Sequence, residues 1–88
     1  MPIIASFYGI AIYMYFEANA PHQLPHFHAY YGEYMGSFSI ESPNLLEGAL
    51  PRRQLRLVLA WAELHQAELL QNWQLTQEGR LPRKIAGL

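Results

Sequence analysis

The stretch Pro25-His26-Phe27-His28-Ala29 decides how the rest of the chain is interpreted, because it places two of the four histidines on either side of an aromatic residue. Successive side chains of a β-strand point to opposite faces, so an extended conformation puts His26 and His28 on one face and Phe27 and Ala29 on the other. One face of this strand is therefore apolar. The other face carries two groups that can exchange protons or bind a metal near neutral pH.

Three strands are predicted in series around this motif. The first covers residues 8–16, where aromatic and β-branched side chains fit a pleated, half-buried surface. The second covers residues 26–31, Gly32-Glu33 forms a tight turn, and the third covers residues 34–41, where side chains alternate between two faces. Short strands joined in this way favour an antiparallel meander with one face covered by a helix.

A long amphipathic helix is predicted from Pro51 to about Glu78, after a linker at residues 45–50. Pro51 suits the first turn of a helix, where its missing N–H needs no partner. Apolar side chains then recur at helical spacing: Leu55, Val58, Leu59, Trp61, Ala62, Leu69 and Trp73. Trp61 and the stripe Leu55, Val58, Leu59 and Ala62 are expected to cover the apolar sheet face. A bend is expected near His65, because an unbroken helix would be long for so small a domain. The predicted fold is α+β, a three-stranded antiparallel sheet packed by one long or bent C-terminal helix.

Length and composition favour one domain that covers residues 1–88. Apolar residues make up 51% of the chain, too many for a disordered protein, whereas charged residues make up only 15%, which suggests a surface partly covered by a partner. The absence of cysteine excludes disulfides and thiolate metal sites. No apolar run approaches the roughly 18 to 20 residues that a membrane span needs, so a cytoplasmic protein without membrane contact is predicted.

Charge is distributed unevenly along the chain. Residues 1–50 carry four glutamates and no lysine or arginine, whereas residues 51–88 carry all six basic residues and three glutamates. This is less basic than a domain that binds nucleic acid by itself, although a small local phosphate site remains compatible with it.

The histidine pair admits three interpretations. The imidazoles can serve as acid and base or contact RNA. They can bind a metal if His22, His65 or Glu33 supplies a third ligand, as in open catalytic sites. They can also be structural and hydrogen-bond to backbone, tyrosine or glutamate groups. The sequence does not choose among these, so metal binding stays open, and no other cofactor is predicted.

A phosphate-binding site is predicted at the start of the helix, where Arg52, Arg53 and Arg56 lie in the first turns. Guanidinium groups and the backbone N–H groups of a helix N-terminus can together hold a phosphate. The alternative is a solvated face paired with Glu47 or other carboxylates. His65 lies at the border of the apolar stripe and matters for chemistry only if the helix packs across the histidine face.

Several motifs spread over almost the whole chain occur together. They are Phe7-Tyr8-Gly9-Ile10, Met14-Tyr15-Phe16, Pro25-His26-Phe27-His28-Ala29, Tyr31-Gly32-Glu33-Tyr34, Leu50-Pro51-Arg52-Arg53, Trp61-Ala62-Glu63-Leu64-His65, Glu68-Leu69-Leu70-Gln71-Asn72-Trp73 and Lys84-Ile85. In this combination the chain resembles a small bacterial family catalogued as domain of unknown function 4160.

The resemblance implies a two-protein module. Members of the family are commonly encoded beside a second small domain, in pairs that look like toxin–antitoxin modules, with this family as the suspected toxin. The positions that match the family motifs and could be functional are His26, His28, Glu33, Arg52, Arg53 and His65. The expected partners are a small antitoxin-like protein and RNA, and a homodimer is a further expectation.

Two departures from the family pattern concern nucleic-acid binding. Family members often carry a basic residue where this chain has Ser6 and another where it has Tyr13, and the loop before Pro25 is longer here. The missing bases weaken binding of nucleic acid on the sheet face. They leave open a degenerate, inactive or partner-dependent member.

The function predicted from these observations is the toxin component of a bacterial toxin–antitoxin module, directed at RNA. The predicted catalytic residues are His26, His28, Glu33 and His65, and the predicted phosphate-binding residues are Arg52, Arg53 and Arg56. The alternatives are a non-catalytic protein-interaction domain with structural histidines and a metal-dependent hydrolase.

Overall fold

The computed structural model describes residues 3–16 and 24–88 and contains a five-stranded antiparallel sheet and two helices. The strands follow one another across the sheet in chain order: β1 (Ile3–Phe7), β2 (Ile10–Tyr13), β3 (His26–Tyr31), β4 (Tyr34–Ser39) and β5 (Asn44–Ala49). The helices are α1 (Arg52–Leu64) and α2 (Gln66–Gln77). The predicted three-stranded sheet with one long or bent helix is therefore wrong. The sheet has two further strands, and the helical segment forms two helices.

The first missed strand is β1, which forms a hairpin with β2. Tyr8 and Gly9 both have positive φ, 48° and 76°, as a two-residue hairpin turn of the mirror-image type requires. Phe7 pairs with Ile10 across this turn. The first two residues of the strand predicted over residues 8–16 thus belong to a turn, and the strand before that turn was missed.

The second missed strand is β5, which was predicted to be a linker. Phe38 pairs with Leu45 and Ser37 pairs with Glu47, so the register shifts at Leu46, an additional residue on β5. Such a bulge interrupts the alternation by which a strand is recognised in sequence. Gly48 has a φ of 82°, and a Cβ there would collide with the carbonyl oxygen of Met35, so this irregular strand depends on glycine.

The helical segment is interrupted at His65, where a bend was expected. His65 ends α1 with φ −115° and ψ 25° and is also the residue that precedes α2. Its N–H donates to the Trp61 carbonyl at 3.0 Å, and its own carbonyl accepts from the Leu69 N–H at 2.9 Å. The chain therefore turns while its backbone stays hydrogen-bonded. Among the helices of the described ranges, none is both long and apolar enough to cross a membrane.

The core lies between the sheet and α1, with Trp61 at its centre. Trp61 is fully buried, and its ring lies 5.3 Å from that of Phe7 and 5.8 Å from that of Phe27. Other members of the expected helical stripe are buried or pack against the same cluster: Leu55, Val58, Leu59, Ala62, Leu69 and Trp73. The prediction that this stripe covers the apolar sheet face is confirmed.

The C-terminal tail, residues 80–88, is held against the core by polar contacts. The side chain of Asn72, only 2% exposed, accepts a hydrogen bond from the Arg83 N–H and donates one to the Arg83 carbonyl, both at 2.8 Å. The indole N–H of Trp61 donates to the Ala86 carbonyl at 2.8 Å. The Ile85 N–H donates to the Ile4 carbonyl at 2.7 Å.

Replacement of Asn72 by leucine should free this tail. The variant loses both hydrogen bonds to Arg83, and we expect the free energy of unfolding to fall by about 1 to 3 kcal/mol in urea titrations. We also expect faster tryptic cleavage after Arg80 and Arg83. The exposed neighbour Gln71 provides the control, since Gln71→Ala should change neither quantity. Unchanged cleavage of the Asn72→Leu protein would show that the tail is held without this side chain.

Candidate functional site

Four aromatic side chains form a continuous group, here named the histidine cluster: Tyr15, His26, His28 and Trp73. The Tyr15 and His28 rings stack with centroids 4.8 Å apart and planes within 9° of each other. The His26 and His28 rings meet edge to face at 5.3 Å, and the Trp73 ring lies 5.0 Å from that of His26. Both histidines of the central motif therefore belong to one site.

Strand β3 sets this arrangement. His28 pairs with Tyr13 on β2 and with Ser37 on β4, and His26 pairs with Ser39. Phe27 and Ala29, the alternate residues, are fully buried in the core. The alternation predicted from the motif is therefore confirmed, and both imidazoles lie on one side of β3.

The hydrogen bond of His26 defines its tautomer. Nδ1 lies 2.8 Å from the carbonyl oxygen of Leu24, and a carbonyl can only accept, so Nδ1 carries the hydrogen. In the neutral ring Nε2 is then the basic nitrogen. The same bond also fixes the chain just before β3, so it serves the fold as well as the chemistry.

The two histidines differ in exposure. His28 is 8% exposed and lies beneath the stacked Tyr15 ring, whereas His26 is only partly buried between His28 and Trp73. A molecule that arrives from solvent therefore meets His26 before His28.

His65 lies at the junction of α1 and α2 and has partners of its own. Its Nδ1 lies 2.7 Å from Oε1 of Glu68, and its ring lies 5.5 Å from that of Trp61. The carboxylate accepts, so Nδ1 carries the hydrogen here too, and the pair has the form of a base oriented by an acid. No ring contact joins His65 to the histidine cluster within the residues described.

Glu33 and the arginines lie at the opposite end of the sheet from His26. Glu33 is exposed in the turn after Tyr31, and β3 spans about 17 Å from His26 to Tyr31. Arg52 and Arg53 begin α1 just after Ala49, which pairs with Met35 near the same end.

The arginines at the start of α1 are exposed. Arg52, Arg53 and Arg56 are all exposed, and none forms an ion pair with any residue in ranges 3–16 and 24–88. The pairing with Glu47 that sequence reasoning offered as an alternative is therefore not seen. The topology divides the predicted site residues between two ends of one sheet.

The metal ligands suggested by the sequence do not come together in the described part of the chain. No group of three or more histidine or acidic side chains there is arranged to hold a metal ion. His26 and His28 thus provide two donors, and neither Glu33 nor His65 completes the set. His22, the remaining candidate, lies outside the residues that the structure describes.

We expect the purified protein to retain no stoichiometric zinc. Two imidazoles leave half of the usual tetrahedral shell without protein ligands. After dialysis against metal-free buffer, elemental analysis should find well below one zinc per chain. Retention of one zinc per chain in the wild type, and its loss in His22→Gln, would instead show that His22 completes a site with the pair.

Sequence reasoning missed three residues that shape these sites. Tyr15 was noted only within the motif Met14-Tyr15-Phe16, and Trp73 only as part of the apolar stripe. Glu68 was not considered, although it lies three positions after His65, where side chains on a helix meet. That spacing was the one available signal, whereas the contacts of Tyr15 and Trp73 depend on the path of the chain between strands and helices.

Comparison with known proteins identifies the family to which the chain belongs. Residues 9–74 match the family described as Domain of unknown function (DUF4160). The matched range includes β3, β4, β5 and α1, together with every member of the histidine cluster. No curated protein and no solved structure gives a significant match. Because the match covers well over half of the chain, the protein belongs to the DUF4160 family.

Proposed function

We propose that this protein is the toxin component of a bacterial toxin–antitoxin module and that it acts on RNA by proton transfer at the histidine cluster. The supporting observation is the contact between His26 and His28, whose rings meet at 5.3 Å on one side of β3. Histidine is the side chain best suited to proton transfer near neutral pH. Two adjacent imidazoles offer a base and an acid together.

The proposed reaction is cleavage of a phosphodiester without a change in oxidation state. Neutral His26, with its hydrogen on Nδ1, takes the proton of the ribose 2′-hydroxyl at Nε2, and the 2′-oxygen bonds to phosphorus. Protonated His28 gives its proton to the departing 5′-oxygen. The products are a 2′,3′-cyclic phosphate and a free 5′-hydroxyl. The adjacent Trp73 ring offers a surface on which a base can stack.

The remaining candidate residues take separate roles in this proposal. Arg52 and Arg53 lie at the far end of the sheet, so they would contact a different phosphate of the same RNA strand. The His65 and Glu68 pair is a second place at which a proton could be exchanged. The acidic first half of the chain disfavours RNA on the rest of the sheet, and it suits a partner protein instead. We place the reaction in the cytoplasm, where RNA is available.

Regulated expression tests the proposal. Induction of the wild-type protein in a bacterial host without its partner should arrest growth, and coexpression of the small protein encoded beside it should relieve the arrest. Normal growth of a host that accumulates folded protein would contradict the proposal.

A non-catalytic interaction domain is the second candidate, and one observation favours it. Phe16 and Leu24, which adjoin the cluster residue Tyr15 and the His26 hydrogen bond, are 55% and 41% exposed. Apolar groups so placed are suited to burial by a partner protein. This function predicts stable complex formation with the neighbouring protein and no growth arrest by the free chain.

A further inference from the structure

The two edge strands of the sheet, β1 and β5, differ in what lies beside them. The C-terminal tail lies against β1, where the Ile85 N–H donates to the Ile4 carbonyl and a Cβ on Gly87 would lie 2.9 Å from the Ser6 carbonyl oxygen. No described residue pairs with the outer side of β5, the other edge strand. One edge is thus closed by the chain itself, and the other has no neighbour among the residues that the structure describes.

Strand β5 is exposed along nearly its whole length. Five of its six residues are exposed, and Leu46, the bulge residue near its middle, is 43% exposed. In a strand with one neighbour, alternate residues direct their N–H and C=O groups away from that neighbour. These groups form a row that another extended chain can join by hydrogen bonds.

Opposite charges flank β5 symmetrically. Glu41 lies three positions before the first residue of the strand, and Arg52 lies three positions after the last. Both are exposed, and neither forms an ion pair within the part of the chain that the structure describes. A strand with an acid at one end and a base at the other complements a reversed copy of itself.

We infer that β5 pairs antiparallel with β5 of a second copy of this chain and so joins two sheets into one. When the two strands are centred on each other, Asn44 faces Ala49 of the second copy, and Leu46 faces Glu47. Antiparallel pairing places the turn before β5, which holds Glu41, beside the start of α1 of the second copy, which holds Arg52, twice by symmetry. This interface does not rest on the proposed chemistry of the histidine cluster.

The same features predict a weak dimer. Pairing along one six-residue edge buries less surface than the roughly 1,000 Å² of a stable interface, and the bulge at Leu46 shortens the regular part of the strand. The dimer should therefore dissociate on dilution. Because exposed ion pairs are screened by salt, it should also weaken as ionic strength rises.

Sedimentation velocity of the full chain over a range of concentrations tests this interface. The wild type should pass from monomer to dimer as concentration rises. Leu46→Glu places a carboxylate directly across from Glu47 of the second copy, twice by symmetry, and should raise the dissociation constant about tenfold or more. Leu81→Glu is the matched control, since Leu81 is 79% exposed in the C-terminal tail, which lies against β1 at the opposite edge of the sheet, and it should leave the constant unchanged.

Exchanging the charges of Glu41 and Arg52 distinguishes a direct ion pair between these two residues from a general effect of net charge on association. Glu41→Arg should raise the dissociation constant about twofold to thirtyfold, because two exposed ion pairs are replaced by repulsion. Adding Arg52→Glu to the same chain should restore it. A wild type that stays monomeric, an equal effect of Leu81→Glu, or no restoration by the second change would each overturn the inference.

Discussion

Replacement of Trp61 by alanine should lower the free energy of unfolding by about 3 to 5 kcal/mol. Trp61 is fully buried between the rings of Phe7 and Phe27, so alanine leaves a cavity at the centre of the core. The variant also leaves the Ala86 carbonyl without its indole partner. Small domains are stable by only about 5 to 15 kcal/mol, so we expect a much lower midpoint in urea or loss of the folded state.

Two further variants serve as controls for the effect of Trp61→Ala on stability. Leu64→Ala changes an exposed residue of the same helix and should alter stability by no more than about 0.5 kcal/mol. Trp61→Phe keeps most of the apolar contact and loses the hydrogen bond to Ala86, so its cost should be intermediate. If Trp61→Ala costs less than about 1 kcal/mol, α1 does not pack on the sheet as described.

Replacement of either histidine of the cluster by glutamine should abolish growth arrest. Glutamine keeps hydrogen-bonding capacity but cannot exchange a proton near neutral pH, and loss of an acid or base typically slows a reaction by about 10² to 10⁴-fold. We expect His26→Gln and His28→Gln to accumulate as folded proteins that still bind the partner protein. Ser37→Ala, which alters a cross-strand neighbour of His28, should retain full toxicity.

The same variants distinguish chemistry from structure. His28 is nearly buried, so His28→Gln carries the greater risk of misfolding, and His26→Gln is the more informative change. Growth arrest, thermal unfolding and partner binding should be measured on each protein. Full toxicity of the His26→Gln protein, or loss of toxicity only in proportion to lost stability, would remove the catalytic role and favour the interaction domain.

Sequence patterns predicted those parts of the fold in which one periodicity runs without interruption. The alternation around His26 and His28 defined β3, and the helical spacing of Val58, Ala62 and Leu69 defined the packed helical face. The missed elements involve local backbone exceptions. Two positive φ angles, at Tyr8 and Gly9, place a turn at the start of the strand predicted over residues 8–16, so that β1 before the turn was missed, and one extra residue masks β5.

The functional site was predictable only within single elements. The proximity of His26 and His28 follows from strand geometry alone, whereas the contacts of Tyr15 and Trp73 with them depend on how separate segments meet. The sequence also suggested that Arg52 and the histidines share one small sheet. They do share one sheet, but they lie at opposite ends of it. Strands β3 and β5 run in the same direction; His26 begins β3, whereas Arg52 begins α1 just after the end of β5.

Cleavage of RNA by the purified protein in the presence of EDTA tests the central claim most directly. A labelled single-stranded RNA should be cut by the wild type to products with 2′,3′-cyclic phosphate ends, and the rate with His26→Gln should fall by about 10² to 10⁴-fold at unchanged thermal stability. Absence of cleavage by folded wild-type protein, or equal rates for the two proteins, would contradict a catalytic histidine cluster.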